Sequence, residues 1–377
     1  MARPPRRRRR RGRSRLRKAG VGFALTMVSL VVALLGAEVA VRLIASGGTL
    51  WEFRNYVSDP GQWAGRWRIM RPDEQLGYVP RPGYSGTDHG GHALLTFDEQ
   101  GFRAHRRDQP PPSQTTPPVL VAGDSYAMGV AVSDDESWPA RLEATLDRRI
   151  VNAAVPGYGI DQIVLRAESL VPALQPDLLI VGFIADDVRR AEARILWGLD
   201  KPYFDVVDGA LVLRNVPAKP PAATASDAAP LDPVRRILGY SFLMDVAMRR
   251  LGLMSYWRRG QTSQIVPAHD QGERVACLLM DRLRQLGQAS GARVVVVAQY
   301  STQAWLAASF LREETRVVEG VLACARKAGL DALDTRAAVE AAVRDDGVWR
   351  YYADTHMSDA GNRLTATVLA RHLKTVP

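Results

Sequence analysis

The sequence predicts a three-layer α/β/α sandwich built on a parallel sheet and preceded by one transmembrane helix. From Val119 onward, short continuous apolar runs alternate with longer stretches of helical periodicity. That is the pattern of parallel strands covered on both faces by helices. The apolar runs are too short for helices and too uniform for half-exposed strands. Ahead of them, an uncharged apolar run follows directly on a block of arginines.

The arginine block accounts for the charge of the whole chain. The 377 residues include 50 Lys+Arg and 40 Asp+Glu, a formal net charge of +10. Residues 1–18 hold 11 of the positive charges (Arg3, Arg6 to Arg11, Arg13, Arg15, Arg17, Lys18) and no acid. Removing 11 from 50 leaves 39 basic against 40 acidic residues, so the body is nearly neutral. A broadly basic nucleic-acid-binding domain is thereby excluded. The basic tail suits anionic lipid instead.

Residues 19–37 carry no charge. As a helix rising 1.5 Å per residue, about 19 residues reach roughly 28 Å, close to the hydrocarbon thickness of a bilayer. The positive-inside rule keeps residues 1–18 in the cytoplasm. The expectation is a single-pass signal-anchor over 19–45, with the body extracytoplasmic, either periplasmic or at the cell surface. Glu38 and Arg42, four apart, pair at the far interface. A cleavable signal peptide competes, because small residues follow the apolar run. The run exceeds the usual h-region, however, and apolar residues resume at Val39, Val41, Leu43 and Ile44, which favours the anchor.

Residues 46–118 read as an irregular, strand-poor lead-in. It ends in a linker around Pro110, Pro111, Pro112, Pro117 and Pro118 that no helix could occupy. The α/β domain spans 119–377. Strands are expected at 119–123, 150–155, 178–184, 294–299 and 332–334. Helices are expected at 138–146, 162–174, 273–286, 313–328 and 360–373. An insertion at about 188–270 leaves from the carboxyl edge of the sheet, where sites of this architecture lie. Within it, Asp208-Gly209 sits between alternating apolar runs and signals a hairpin, and the Pro/Ala-rich stretch 216–233 reads as loop.

Two cysteines, Cys277 and Cys324, exclude a disulfide-rich scaffold. Both fall in helical patterns as small apolar residues, and a bond between them in an oxidising compartment is left open. No dinucleotide fingerprint, P-loop or metal-ligand cluster occurs in the sequence, so no cofactor and no metal is implied.

The chemistry begins at Gly123-Asp124-Ser125, where the first strand ends. A serine that leaves a strand and enters a helical turn presents its hydroxyl above the sheet, and its own N–H can help hold an oxyanion. A plain strand–helix turn with an Asp or Ser cap has the same sequence, so partners decide. A serine nucleophile needs a base, and the base an orienting group. Of six histidines, only His356 lies in the loop before the last helix, at the same sheet edge as Ser125. Asp354, two residues earlier, is placed to orient its ring.

Taken in order, several blocks resemble the SGNH/GDSL hydrolases, particularly bacterial membrane-anchored members with a long lead-in. They are Gly77-Tyr78-Val79-Pro80-Arg81-Pro82, Gly101-Phe102-Arg103, Val121-Ala122-Gly123-Asp124-Ser125-Tyr126 and Asn152 to Gly159. Val181 to Val188 and Asp354-Thr355-His356 complete the series, so the likeness spans about residues 76–373. The resemblance implies a flavodoxin-like sheet with Ser125 as nucleophile, His356 as general base and Asp354 as its orienter. It implies an oxyanion hole from the N–H groups of Ser125 and Gly157 plus a side chain of the third block.

That last position departs from the family, whose members carry an asparagine where this chain has Asp186. An ionised carboxylate cannot donate to an oxyanion, and losing one donor costs about 2.7–4 kcal/mol. A protonated Asp186, raised by burial and by Asp187, could still donate.

The implied activity is removal of acyl groups, acetyl among them, from an envelope carbohydrate or lipid. The alternatives are an O-acyltransferase acting on an extracytoplasmic polysaccharide and a non-catalytic binding module. Tyr126, Tyr158, Trp197, Tyr203 and Phe204 are rim candidates for stacking on sugar rings or, more plainly, packing residues. Oligomeric state is not legible.

Overall fold

The computed structural model describes residues 8–45, 69–87, 93–105, 116–196, 199–219, 233–251, 253, 257, 265–353 and 355–375. The chain divides into two compact units, residues 1–60 with 228–261, and residues 61–227 with 262–377.

The first unit is organised by the helix Arg8–Ala45. Its segment Gly20–Leu43, 24 residues with mean hydropathy 2.2, is long and apolar enough to cross a membrane. Valines and leucines are exposed along it, among them Val21, Leu25, Val28, Val32 and Leu35. The Glu38–Arg42 pair forms at 2.6 Å. Glu38 also caps the helix Phe242–Arg250, accepting from Ser241 Oγ at 2.8 Å and from the N–H groups of Phe242 and Leu243 at 2.8 and 2.9 Å. A carboxylate at a helix N-terminus satisfies otherwise orphaned donors.

The second unit holds the parallel sheet. Its strands are β1 Val119–Ala122, β2 Ile150–Asn152, β3 Leu178–Phe183, β4 Arg293–Ala298 and β5 Asp331–Asp334. They run in the order β5-β4-β3-β1-β2, all pairs parallel. Every residue of β1 and β3 is buried, because helices cover both faces of a parallel sheet.

Seven helices matter for the site: α1 Ser125–Met128, α2 Trp138–Leu146, α3 Ile160–Leu174, α4 Ala185–Arg190, α5 Gly272–Ser290, α6 Ala308–Lys327 and α7 Asp359–Thr375. Contacts join α2 to α7, α3 to α5 and α5 to α6. With right-handed crossovers, α2 and α7 form one outer layer and α3, α5 and α6 the other. The chain leaves β1 for the edge strand β2, then crosses back over β1 to β3. The carboxyl ends of β1 and β3 therefore flank the switch point where a crevice opens.

Two features differ from, or add to, the expectation, and a third matches it. The lead-in is not strand-poor. It forms two antiparallel hairpins, Met70–Asp73 with Gly77–Pro80 and Ser85–Thr87 with Leu94–Thr96. Strands of three or four residues, punctuated by Pro and Gly, are too short for a periodic signal to register. The linker around Pro110–Pro112 lies outside the described residues. Cys277 and Cys324 are not free buried thiols; they are joined as a disulfide between α5 and α6, with Cα atoms 5.2 Å apart. In the insertion, the Asp208-Gly209 hairpin forms between Tyr203–Val207 and Ala210–Arg214. Both turn residues have positive φ, 50° and 81°, as a two-residue loop of this hand requires.

Candidate active site

Ser125 is the first residue of α1, immediately beyond β1. Asp124 caps this turn by accepting from the N–H of Tyr126 at 2.9 Å. Gly123 is required just before it, since a Cβ there would meet the Cβ of Ala127 at 2.4 Å and the carbonyl oxygen of Gly182 at 3.0 Å. The tight exit sets Ser125 at the carboxyl end of the sheet.

Ser125 Oγ lies 3.0 Å from His356 Nε2, a hydrogen bond across 231 residues of sequence. The other ring nitrogen, Nδ1, lies 3.2 Å from Thr355 Oγ1. Asp354, expected to orient this ring, lies outside the described residues. Burial, with the positive charge of Arg190 adding to it, lowers the His356 pKa to about 4. The imidazole is therefore neutral at pH 7, the state a general base requires.

Tyr126, a candidate for sugar stacking, is buried and fastens the histidine loop. Its hydroxyl donates to the Thr355 carbonyl at 2.6 Å, and its ring lies 5.4 Å from that of His356. Tyr158 and Phe204 are likewise buried core residues, Tyr203 is half-buried, and Trp197 lies outside the described residues.

Gly157 has φ +77° in the turn after β2, a left-handed conformation that glycine adopts without a steric penalty. This turn is braced by the lead-in. Tyr78 Oη donates to the Pro156 carbonyl at 2.8 Å, while Tyr158 Oη donates back to the Tyr78 carbonyl. The nucleophile turn is braced as well. Arg103, fully buried, donates to the carbonyls of Met128 and Gly129 and pairs with Asp134 at 3.1 Å. Asn152 Nδ2 donates to the Ala127 carbonyl at 3.2 Å.

Asp186 and Asp187 open α4, beyond β3. Asp186 faces two guanidinium groups. Arg189 donates to it from Nε at 3.0 Å and also from Nη2, and Arg190 Nη2 lies 3.7 Å away. Burial alone would raise the Asp186 pKa, but Arg190 and Arg189 outweigh it and hold the carboxyl below its ordinary value. Asp186 is thus ionised at neutral pH. Protonation by burial, considered from sequence, is not the state this environment produces.

Asp187 behaves oppositely. It is buried, accepts from the Ile184 N–H at 2.9 Å and from Arg190 at 2.5 Å, and lies near Asp124. Burial and then Asp124 push its pKa well up despite Arg190. Two buried carboxylates share one guanidinium, so burial raises Asp124 as well as Asp187, and Asp187 further.

Arg190 was not singled out from sequence. It ties Asp124 (3.6 Å), Asp186 and Asp187 together, and donates to the Tyr158 carbonyl at 3.3 Å. It therefore stands among the serine turn, the Gly157 turn and the third block at once. An arginine four residues after an Asp in a helical turn reads in sequence as a surface pair, and that bland pattern hides it.

A three-layer parallel α/β domain, with a serine at the end of one central strand bonded to a histidine before the last helix, has the architecture of a GDSL-type hydrolase. The profile of the GDSL-like Lipase/Acylhydrolase family matches residues 121–364, and the chain belongs to that family. Among solved structures it is similar to LAE5, an alpha/beta hydrolase enzyme from the metagenome of Lake Arreo, Spain. That match has 14% identity and a TM-score of 0.42, covering 69% of this chain and 96% of that one.

It is also similar to a catalytic mutant of Axe2, an acetylxylan esterase from Geobacillus stearothermophilus, with 13% identity, a TM-score of 0.40 and coverage of 70% and 96%. For TesA the values are 14%, 0.38, 69% and 99%. No curated protein matches the chain.

Proposed function

We propose that this protein is a serine esterase that removes acyl groups from an envelope carbohydrate or lipid. The 3.0 Å contact between Ser125 Oγ and His356 Nε2 carries the reading. As Ser125 Oγ attacks the ester carbonyl, His356 Nε2 takes its proton and Asp354 orients the imidazolium. The tetrahedral oxyanion rests on the N–H groups of Ser125 and Gly157. His356 returns the proton to the departing alcohol oxygen, leaving an acyl-enzyme. Water, deprotonated by His356, releases the acid and restores the serine.

Asp186 opposes this chemistry by placing a negative charge where family members donate a hydrogen bond. Arg189 and Arg190, both paired with the Asp186 carboxylate, offset part of that charge. A non-catalytic binding module is the reading that Asp186 favours, and labelling Ser125 with a serine-reactive phosphonate separates the two. Ser125→Ala should abolish turnover of a short-chain aryl ester with folding intact; unchanged turnover overturns the esterase reading. Transfer to a sugar hydroxyl uses the same acyl-enzyme, and release of free acid alone, with a candidate glycan present, argues against it.

The setting proposed is the outer side of a membrane. The segment Gly20–Leu43 serves as an uncleaved anchor, and the arginines before it stay cytoplasmic. The Cys277–Cys324 bond supports an oxidising compartment for the body.

A further inference from the structure

A cavity lined by neither Ser125 nor His356 lies between the lead-in hairpin Met70–Asp73/Gly77–Pro80 and α3. It has a volume of about 330 Å³ and is lined by Arg71, Asp73, Leu76, Val79, Pro80 and Arg166, among others. That volume is at the low end of small-molecule sites.

Arg166 is only 6% exposed. Its Nε donates to the Ala153 carbonyl at 2.7 Å, and its guanidinium stands 6.0 Å from the centre of the Phe102 ring. Among the described residues no carboxylate lies within ion-pair distance of it, and its two terminal nitrogens have no hydrogen-bond partner. Other buried cations of this unit are satisfied: Lys201 pairs with Asp161 at 2.5 Å and Arg103 with Asp134 at 3.1 Å. The terminal nitrogens of Arg166 therefore open onto the cavity it lines, without a counter-anion.

Burial and the neighbouring Arg71 hold the Arg166 pKa below its ordinary value, opposed by Tyr158 and Asp73. Arg71 is exposed at the rim. Asp73 is the acidic residue of the lining, and its Oδ1 is already taken by the N–H groups of Gln75 and Leu76 at 3.0 and 2.9 Å. Two guanidiniums and one carboxylate leave a net charge of +1, suited to a monoanion. Leu76, Val79, Pro80 and Leu165 supply apolar wall.

We infer that this cavity binds a small carboxylic acid, its carboxylate held by Arg166 and Arg71 and its apolar body seated on the leucine and proline wall. A carboxylate fits the planar guanidinium fork in two-point contact. A phosphate dianion exceeds the net charge of the cavity. The inference does not depend on the esterase reading.

The test is calorimetric titration of the full-length chain with benzoate, with benzamide as its neutral isostere, and with inorganic phosphate. Benzoate should bind and benzamide should not. Arg71→Gln and Arg166→Met should each weaken benzoate by about tenfold, the loss of one charge-assisted contact. Arg71 is exposed, so its variant keeps the measurement decisive even if the Arg166 variant folds poorly. Absence of benzoate binding, equal binding of benzamide, or undiminished binding by Arg71→Gln overturns the site. Phosphate binding as tightly as benzoate overturns the carboxylate class.

Discussion

At the scale of single residues, the chemistry rests on which side chains carry charge at neutral pH. His356 is lowered to about 4 by burial and Arg190, so its imidazole is the free base above that pH. The acid limb of kcat/KM should lie near pH 4, with activity lost as pH falls through it. A limb near the ordinary 6.5 contradicts this environment. Linkage has the same sign: the neutral, half-buried ring stabilises the fold fully above about 6.5, and that contribution is lost as pH falls towards 4.

Asp186 is the opposite case, a carboxylate kept ionised by Arg190 and Arg189, which the proposed mechanism sets against the oxyanion. Asp186→Asn should therefore raise kcat by about tenfold or more, since a donor replaces a repulsive charge. Steady-state turnover of an aryl ester checks this, and unchanged or reduced kcat removes position 186 from the oxyanion hole. The Ser125–His356 contact was legible from sequence because only one histidine lies in the loop that meets the serine turn. Arg190 was not, because its role comes from three carboxylates and a carbonyl that only the fold brings together.

At the scale of elements, the site depends on pieces that touch no substrate. The lead-in hairpin braces the Gly157 turn through Tyr78, and Arg103 clamps the end of the serine turn. Tyr78→Phe removes one hydrogen bond and should cost about 1 kcal/mol of stability. It should lower kcat more than it raises KM, because the oxyanion donors lose their fixed position. A change in KM alone would place Tyr78 in substrate binding instead.

Strands buried on both faces, such as Val119–Ala122 and Leu178–Phe183, were readable as continuous apolar runs. The Asp208-Gly209 hairpin was readable from its turn chemistry. The lead-in hairpins were not, since strands of three or four residues carry too little period. Nor was the Cys277–Cys324 bond, which depends on two helices meeting side by side.

At the scale of the molecule, charge and hydropathy are partitioned along the chain. The positive excess belongs to the first 18 residues, and one apolar helix follows. As an uncleaved anchor, that helix should keep the full chain in the membrane fraction through alkaline extraction. Release of the body into the soluble fraction, with a new N-terminus beyond residue 37, would mean that the segment is a signal peptide. A protease added outside should reach the body and not the arginines.

The claim on which the esterase reading depends is that Ser125 is an activated nucleophile despite the carboxylate of Asp186. Intact-mass analysis after incubation with a fluorophosphonate measures it directly. One adduct per chain is expected, located on Ser125, absent from Ser125→Ala and strongly slowed in His356→Ala. A folded chain that stays unlabelled, or that is labelled equally in Ser125→Ala, contradicts it.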